Sequence, residues 1–231
     1  MLRYGIHEDQ TVLNQAAIDR RYIYRTIKRL SDVTLSAAGL IMLSPVLAGV
    51  AIAIKIDDKK GPVFYRQERV GRHGKRFMMF KFRSMCVDAE EKLKELKKYN
   101  EVKELKKYNE VDGAMFKMKH DPRVTKVGHF IRHYSIDELP QLFNVLAGDM
   151  SLVGPRPPLP REIKQYTDYD KQRLYVIPGC TGLWQVSGRN DVGFREMVEL
   201  DLQYIKKSGF LYDLGIMFKT IKIMVFPNGA Y

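Results

Sequence analysis

The pattern of hydrophobic and polar positions divides the chain into one long apolar segment and a mixed body that follows it. Residues 33–54 read VTLSAAGLIMLSPVLAGVAIAI and contain no charged residue. A helix needs about 20 such residues to cross the hydrocarbon core of a bilayer, so we predict a membrane-embedded helix here. The segment begins too far from Met1 and is too long for the apolar core of a cleavable signal peptide.

A basic amphipathic pattern comes directly before this segment. Apolar residues such as Tyr22, Ile23, Ile27 and Leu30 alternate there with cations, which are Arg20, Arg21, Arg25, Lys28 and Arg29. Such a pattern is typical of a helix that lies on an anionic membrane surface. The alternatives are a solvated basic face and an arm that binds nucleic acid.

The apolar segment is compatible with two membrane topologies, a re-entrant helix and a single-pass helix. Lys55, Lys59 and Lys60 follow it, so the positive-inside rule favours cytoplasmic positions for both flanks. Ser44 and Pro45 stand at its midpoint, where proline kinks a helix and a neighbouring hydroxyl can satisfy the carbonyl that proline frees. We expect a re-entrant helix that returns to the face it entered; a kinked single-pass helix is the alternative.

The body begins with a pattern that predicts a β-hairpin. Residues 61–70 and 76–85 are rich in aromatic residues and are separated by a glycine-containing break. Lys81 and Arg83 share a parity, so both are expected on one face of the second strand as candidate phosphate contacts. An exposed charged strand face is the alternative.

Helical patterns occupy two further regions. Residues 88–111 are rich in Glu, Lys and Leu, and they contain KELKKYNEV twice, at 94–102 and 103–111. We interpret this duplication as a loop insertion without chemistry. Residues 211–225 predict an amphipathic helix able to lie at the membrane interface.

These elements together predict an α+β fold that is mostly helical. It combines a re-entrant membrane helix, amphipathic interfacial helices and a small β-hairpin around a cytoplasmic catalytic site. Three regions follow: a basic amphipathic segment at 1–30, the re-entrant helix at 31–56, and a membrane-associated cytosolic domain at 57–231.

Charge narrows the expected partners of the chain. Lys and Arg outnumber Asp and Glu by 39 to 27, which gives a net charge of +12 in 231 residues. Such an excess favours polyanions: nucleic acid, acidic lipids or phosphorylated substrates. Cys86 and Cys180 are far apart and form neither a disulfide framework nor a metal-ligand spacing, as expected in a reducing cytosol.

The adjacent carboxylates Asp137 and Glu138 are the strongest candidate for chemistry. Ser135 and Glu138 have the spacing of a capping box, so plain helix capping is one interpretation. A helix start also attracts phosphate and would lower the pKa of Asp137, keeping it ionised. Arg132 precedes the pair, and Arg156 follows it between prolines that fix its backbone.

A glycine-rich loop at residues 178–190 is a second candidate for phosphate binding. Its glycines let a backbone approach a phosphate closely, and Arg189 offers a bidentate fork. Ordinary turns share this composition. The candidate substrate-binding residues are therefore Lys81, Arg83, Arg132, Arg156, Gln185 and Arg189.

Several motifs in series resemble the bacterial sugar transferase family, the monotopic polyprenyl-phosphate phosphoglycosyl transferases. They are KRLSDV, the Ser-Pro pair at 44–45, PVFYRQERVG, KFRSM, DPRVTKVG, LFNVLAGDMSLVGPRP and PGCTGLWQVSGRN. The resemblance extends from about Lys28 to the C-terminus. It corresponds to the compact form, without the extra membrane spans of larger relatives, and the duplication departs from it.

The resemblance implies transfer of a sugar 1-phosphate from a UDP-sugar to undecaprenyl phosphate, with release of UMP. Asp137 would be the nucleophile that forms a phosphoglycosyl-aspartate, and Glu138 would hold the required Mg²⁺ or assist in managing protons and charge. The reaction would be the first membrane step in assembling an exopolysaccharide, capsule or O-antigen. The ending Asn228–Tyr231 is similar to members that transfer glucose or galactose 1-phosphate.

The resemblance also implies a location and partners. We expect a monotopic protein on the cytoplasmic face of the bacterial inner membrane, with membrane lipids, a second copy of the chain and downstream glycosyltransferases as partners. No nucleic-acid partner is expected. The alternative functions are a membrane-tethered basic nucleic-acid-binding protein and an inactive scaffold, and both leave the acid pair unexplained.

Overall fold

The computed structural model describes residues 12–89, 91–92, 121–187 and 193–226. The helices that can be bounded in these ranges are α1 (Gln15–Asp19), α2 (Tyr22–Asp57), α3 (Lys126–His133), α4 (Gln141–Ala147), α5 (Pro160–Ile163), α6 (Asp168–Lys171), α7 (Leu183–Ser187), α8 (Phe194–Lys207) and α9 (Phe210–Val225). Short 3₁₀ turns occupy Arg72–Gly74, Ile136–Glu138 and Gln172–Tyr175. The predicted mostly helical fold is confirmed, and α9 covers the predicted C-terminal helix.

Two small sheets accompany the helices. Strand β1 (Phe64–Val70) pairs antiparallel with β2 (Arg76–Phe82), which confirms the predicted hairpin. Strand β3 (Ser151–Val153) pairs in parallel with β4 (Gly179–Thr181), a pairing that the sequence pattern did not predict. The second sheet joins the proline-rich stretch after α4 to the glycine-rich loop before α7.

Helix α2 is a single element of 36 residues with Pro45 inside it. Proline cannot donate to the carbonyl four residues earlier, and here the Ser44 hydroxyl donates to that carbonyl, of Ile41, at 2.8 Å. The basic segment and the apolar segment therefore form one helix, and the predicted boundary between residues 30 and 31 lies inside it. Re-entry into the membrane stays a prediction.

Both ends of α2 contact the body of the protein. Near its start, the Lys28 ammonium forms an ion pair with Asp213 of α9 at 2.7 Å. Near its end, Ile54 packs in one buried cluster with Phe82 and Ile131. The helix is thus fastened to the body on either side of its apolar middle.

The middle of α2 presents apolar side chains outward. Ile41 and Met42 are each 76% exposed, and an 18-residue window of the helix reaches a mean hydropathy of 2.3. By length and composition the helix can cross a membrane. An exposed apolar surface of this kind is stable in lipid and unfavourable in water.

The body has two buried clusters beside the one that holds the end of α2. Helices α8 and α9 pack behind β3 through Val198, Leu202, Ile205 and Ile216. The hairpin packs on α4 through Phe77, Met79 and Val145. The duplicated segment at 94–111 and most of the predicted helix at 88–111 lie outside the described residues.

Candidate active site

The acid pair lies on the 3₁₀ turn Ile136–Glu138, between α3 and α4. Ser135 precedes this turn with φ 55° and ψ 23°, and its side chain makes no capping hydrogen bond. A capping serine needs an extended backbone to reach the amide hydrogens of the first turn. The predicted capping box is therefore wrong, because Ser135 has a left-handed conformation.

Asp137 is buried, with 9% of its surface exposed. Burial, and then the neighbouring Glu138 carboxylate, raise the pKa of Asp137 to about 6, although Lys81 and Arg132 act to lower it. The predicted lowering of this pKa is wrong. A turn of three residues aligns few peptide dipoles, so the cost of burying a charge exceeds the attraction of a helix start.

Glu138 is more open and is held by a cation. The Lys81 ammonium forms an ion pair with Glu138 Oε1 at 2.6 Å, and 38% of the Glu138 side chain is exposed. Burial opposes ionisation, yet Lys81, and then Arg156 and Arg69, hold the pKa of Glu138 below its usual value. The pair thus combines a carboxyl that titrates near neutrality with a carboxylate that stays charged.

Asn144 on α4 explains why Lys81 reaches the acid pair. Its Oδ1 accepts a hydrogen bond from the Phe80 amide at 2.9 Å, and its Nδ2 donates to the Met78 carbonyl at 2.7 Å. Asn144 is only 1% exposed. The side chain fastens β2 to the helix that follows the acid pair, and a polar residue within the apolar stripe of α4 was the available sequence signal.

Arg132 approaches the pair from α3. Its Nε donates to the Ser84 hydroxyl at 2.8 Å, just beyond the end of β2. Burial lowers the pKa of Arg132, while the charge of Asp137 acts to raise it. The structure therefore brings Arg132 beside the acid pair, as the sequence predicts.

Arg156 lines a cleft together with Glu138, on a backbone that two other arginines hold. Arg69 Nη1 donates to the Pro157 carbonyl at 2.9 Å, and Arg173 Nη2 donates to the Arg156 carbonyl at 3.4 Å. Arg173 itself forms a buried ion pair with Asp201 at 2.6 Å. Prolines and these donors together fix the direction of Arg156.

A narrow cleft of about 20 Å³ joins Glu138 to the glycine-rich loop. Arg69 and Arg156 line it, and so does Gln185, whose Nε2 donates to the Cys180 carbonyl at 3.3 Å. Burial, and then the charge of Arg156, lower the pKa of Arg69 to about 10. Arg69 was not among the predicted site residues, because its strand reads as an ordinary charged strand.

The remaining predicted residues lie elsewhere. Arg83 follows the end of β2 and donates to Asp58 Oδ2 at 2.7 Å, so it contacts the end of α2. Arg189 lies outside the described residues. Ser44 and Pro45 lie in the apolar part of α2, where the serine fulfils the predicted role toward a freed carbonyl.

The candidate metal ligands at this site are the adjacent carboxylates of Asp137 and Glu138. Within the described ranges, no group of three or more His, Cys, Asp and Glu residues has the arrangement of a metal site. Mg²⁺ commonly binds one or two carboxylates together with water and substrate phosphates. Asp137 and Glu138 therefore fit a magnesium ion that arrives with a phosphorylated substrate.

Comparisons with known proteins identify the family of this chain. A sequence model of the family described as bacterial sugar transferase matches residues 23–227. The chain is 46% identical over 207 residues to the undecaprenyl-phosphate galactose phosphotransferase of Salmonella typhimurium, covering 90% of this chain and 42% of that protein. It is 43% identical over 229 residues to galactosyl transferase CpsE of Streptococcus agalactiae, covering 99% and 49%.

A third relative is closer in length. The exopolysaccharide production protein ExoY of Sinorhizobium fredii is 41% identical over 204 residues, with 88% of each chain covered. By contrast, the chain spans about half the length, or less, of the two longer relatives. The family match and these identities extend over nearly all the elements described above, and the chain belongs to the bacterial sugar transferase family.

Proposed function

We propose that the chain transfers a sugar 1-phosphate, glucose or galactose 1-phosphate, from a UDP-sugar to undecaprenyl phosphate and releases UMP. The observation that carries the proposal is the acid pair, set between Lys81, Arg132 and Arg156 on a body fastened to an apolar helix. Relatives named as undecaprenyl-phosphate galactose and glucose phosphotransferases support both the acceptor and the choice of sugars.

The first step is an attack by Asp137. Its ionised Oδ forms a bond to the β-phosphorus of the UDP-sugar, and the bond from that phosphorus to the bridging oxygen breaks. UMP leaves with that oxygen and the bonding electrons. The protein then holds the sugar phosphate as an acyl phosphate on Asp137, which divides one transfer into two displacements.

The second step returns the carboxylate. A phosphate oxygen of undecaprenyl phosphate attacks the same phosphorus, and the bond to Asp137 Oδ breaks. The products are the undecaprenyl diphosphate sugar and free Asp137. Charge neutralisation and positioning supply most of the catalysis in phosphoryl transfer, and the cations on both sides of the pair are placed to do this.

Glu138 is the residue that would hold Mg²⁺, with Asp137 beside it. When bound, the ion supplies charge neutralisation at the phosphate oxygens. Lys81 keeps Glu138 ionised and ready for this role, and the charge of Arg156, which lines the same cleft, acts in the same direction. The first membrane step of exopolysaccharide, capsule or O-antigen assembly is the setting that we propose for the reaction.

Trapping the covalent intermediate tests the proposal. The purified chain is incubated with Mg²⁺ and UDP-glucose or UDP-galactose, without acceptor, and UMP release is measured together with the intact protein mass. We expect about one UMP per chain and an added mass of one hexose phosphate group. Asp137→Asn should abolish both, because an amide is a poor nucleophile.

Asp168→Asn is the matched control, since Asp168 is almost fully exposed and forms a surface ion pair with Lys171. It should behave as the unaltered chain. UMP release that survives in Asp137→Asn would place the nucleophile elsewhere. Absence of UMP with either nucleotide sugar, even after undecaprenyl phosphate is added, would contradict the proposed function.

A further inference from the structure

A cavity of about 630 Å³ lies where the N-terminal part of α2 meets the body. Most of its wall is apolar or aromatic, with Ile18, Tyr24, Leu30, Val33, Val176 and Ile177 among the lining residues. Pockets that bind small molecules have volumes of roughly 300–1,000 Å³. None of the acid pair or its surrounding cations lines this cavity, so it is separate from the candidate active site.

Cations surround the apolar wall. One carboxylate, Asp32, lines the cavity against five cations, which are Arg21, Arg25, Lys28, Arg29 and Arg72. Two of the five have acidic partners just outside it: Lys28 pairs with Asp213, and Arg72 pairs with Asp19. Even with those partners counted, positive charge is in excess.

The other three cations donate hydrogen bonds to neutral oxygen atoms. Arg21 donates to the Ser208 hydroxyl and to backbone carbonyls. Arg29 donates to the last carbonyls of α4, and Arg25 donates to the Asp19 carbonyl at 3.1 Å. Their charges are therefore available to an anion, and Arg25 is the most exposed of the three.

We propose that this cavity binds one anionic phospholipid of the surrounding bilayer, with an acyl chain inside and the headgroup phosphate at Arg25. The apolar segment begins at Val33, so the cavity lies at the level where α2 enters lipid. Lys and Arg clusters directly beside a membrane helix attract anionic headgroups, and basic pockets there bind such lipids.

The surface beside the cavity fits a lipid better than a soluble anion. Ile23 and Ile27 are 81% and 45% exposed on the same part of α2, so apolar surface continues outward from the wall. A free phosphate or a nucleotide would be attracted by the cations, but burying its polar groups against these apolar walls would cost free energy. A diacyl lipid uses both the charge and the apolar volume.

Native mass spectrometry of the detergent-purified full chain tests the site. Dioleoyl phosphatidylglycerol and dioleoyl phosphatidylcholine, which differ in net charge, are titrated separately. We expect the first phosphatidylglycerol to bind at least fivefold more tightly than phosphatidylcholine. Arg25→Gln should weaken that first binding about fivefold, because one cation near a lipid surface contributes on that order.

Arg20→Gln is the matched control, since Arg20 is exposed and nearby but does not line the cavity. Thr26→Trp adds a second variant: Thr26 lines the cavity, so a bulky ring should obstruct the acyl chain and weaken binding with the charge unchanged. Thr34→Trp, the same change at an exposed position of the same helix that is outside the lining, should have no effect.

Three results would overturn the proposal. One is equal binding of the two lipids, and another is a loss in Arg20→Gln as large as in Arg25→Gln. The third is displacement of phosphatidylglycerol by an equimolar amount of undecaprenyl phosphate in a manner that depends on Arg25, which would make the polyprenyl substrate the occupant instead.

Discussion

At the scale of single residues, ionising a buried nucleophile costs free energy, and neighbouring cations have to reduce this cost. Asp137 must lose its proton to attack a phosphorus, and burial disfavours the charged form. Lys81 and Arg132 act in the opposite direction, and the resulting pKa is about 6. The carboxyl is therefore mostly ionised at neutral pH, although it is more basic than an exposed aspartate and so a better nucleophile.

The rate of the first half-reaction should fall as the pH decreases through about 6. Below that value Asp137 is protonated, so log kcat/KM should decrease with a slope of one. The contribution of Asp137 to folding stability changes with pH in the opposite direction. Because folding raises this pKa, the free-energy cost of holding a buried charge disappears as the pH falls from the folded-state pKa toward the pKa of the unfolded chain. UMP release measured from pH 4.5 to 8 checks the first expectation, and a flat profile would contradict it.

Lys81→Met should move this acid limb to higher pH. The ammonium lowers the pKa of Asp137 and pairs with Glu138, so removing it raises the former pKa and leaves the carboxylates to repel each other. On the acid limb, at about pH 5, we expect kcat/KM to fall roughly tenfold for each unit by which that pKa rises. Lys75→Met is the control, since Lys75 is 80% exposed and belongs to the same hairpin. An unchanged limb would mean that Lys81 binds substrate without tuning Asp137.

Site residues could be predicted from the sequence where the signal is local, and could not where their role depends on distant contacts. Asp137, Glu138, Arg132 and Arg156 stand out because their charges lie near turn residues in the sequence. Arg69 does not, since its role depends on a carbonyl 88 residues away at Pro157. The direction of the Asp137 pKa shift could not be predicted from the sequence either, because it depends on burial by segments that are distant along the chain.

At the scale of elements, β3 and β4 hold the two loops of the site together through glycines. A Cβ added to Gly179 would lie 2.0 Å from the Gly154 amide nitrogen, and one added to Gly154 would lie 2.8 Å from the Gly179 nitrogen. Backbones this close leave no room for a side chain. The parallel pairing, which brings Arg156, Cys180 and Gln185 to one cleft, depends on that approach.

Gly179→Ala should therefore destabilise the chain by about 3 kcal/mol or more, the range for severe steric conflicts. Gly215→Ala is the control, because a Cβ there meets no atom within 4 Å and alanine favours a helix interior by about 1 kcal/mol. Thermal unfolding in detergent compares the two variants. A Gly179→Ala midpoint equal to that of the unaltered chain would show that the strands can separate without loss.

Local patterns predicted the elements whose causes are local. The hairpin follows from aromatic runs on either side of a glycine break, and α9 follows from its periodicity. The prediction of a capping box was wrong because Ser135 has φ 55°, a left-handed conformation that the local sequence pattern did not indicate. The pairing of β3 with β4 has too few residues to leave a recognisable pattern.

At the scale of the whole molecule, α2 is fastened to one body at both ends. A helix that crossed the bilayer once would place its ends on opposite faces, whereas here Lys28 contacts Asp213 and Asp58 contacts Arg83. These contacts support re-entry over a single span. The exposed apolar middle, around Ile41 and Met42, would then be the part that enters lipid.

Single cysteines at the two ends test this topology. Tyr22→Cys and Lys59→Cys, each made in a chain with Cys86 and Cys180 replaced by serine, expose a thiol before and after the apolar segment. An impermeant maleimide should label both in inverted membrane vesicles and neither in spheroplasts. Labelling from opposite sides would establish a single span and would contradict the re-entrant form.

The attachment of α2 to α9 also has a consequence for biosynthesis. Tyr24 and Lys28 meet Asp213 across separations of 189 and 185 residues, so the two sides of this contact are translated at least 185 residues apart. The anchor can reach the bilayer long before its acidic partner exists, because chains emerge and fold from the N-terminus. A product truncated before Asp213 would keep α2 but would lack the ion pair that joins Lys28 to the body.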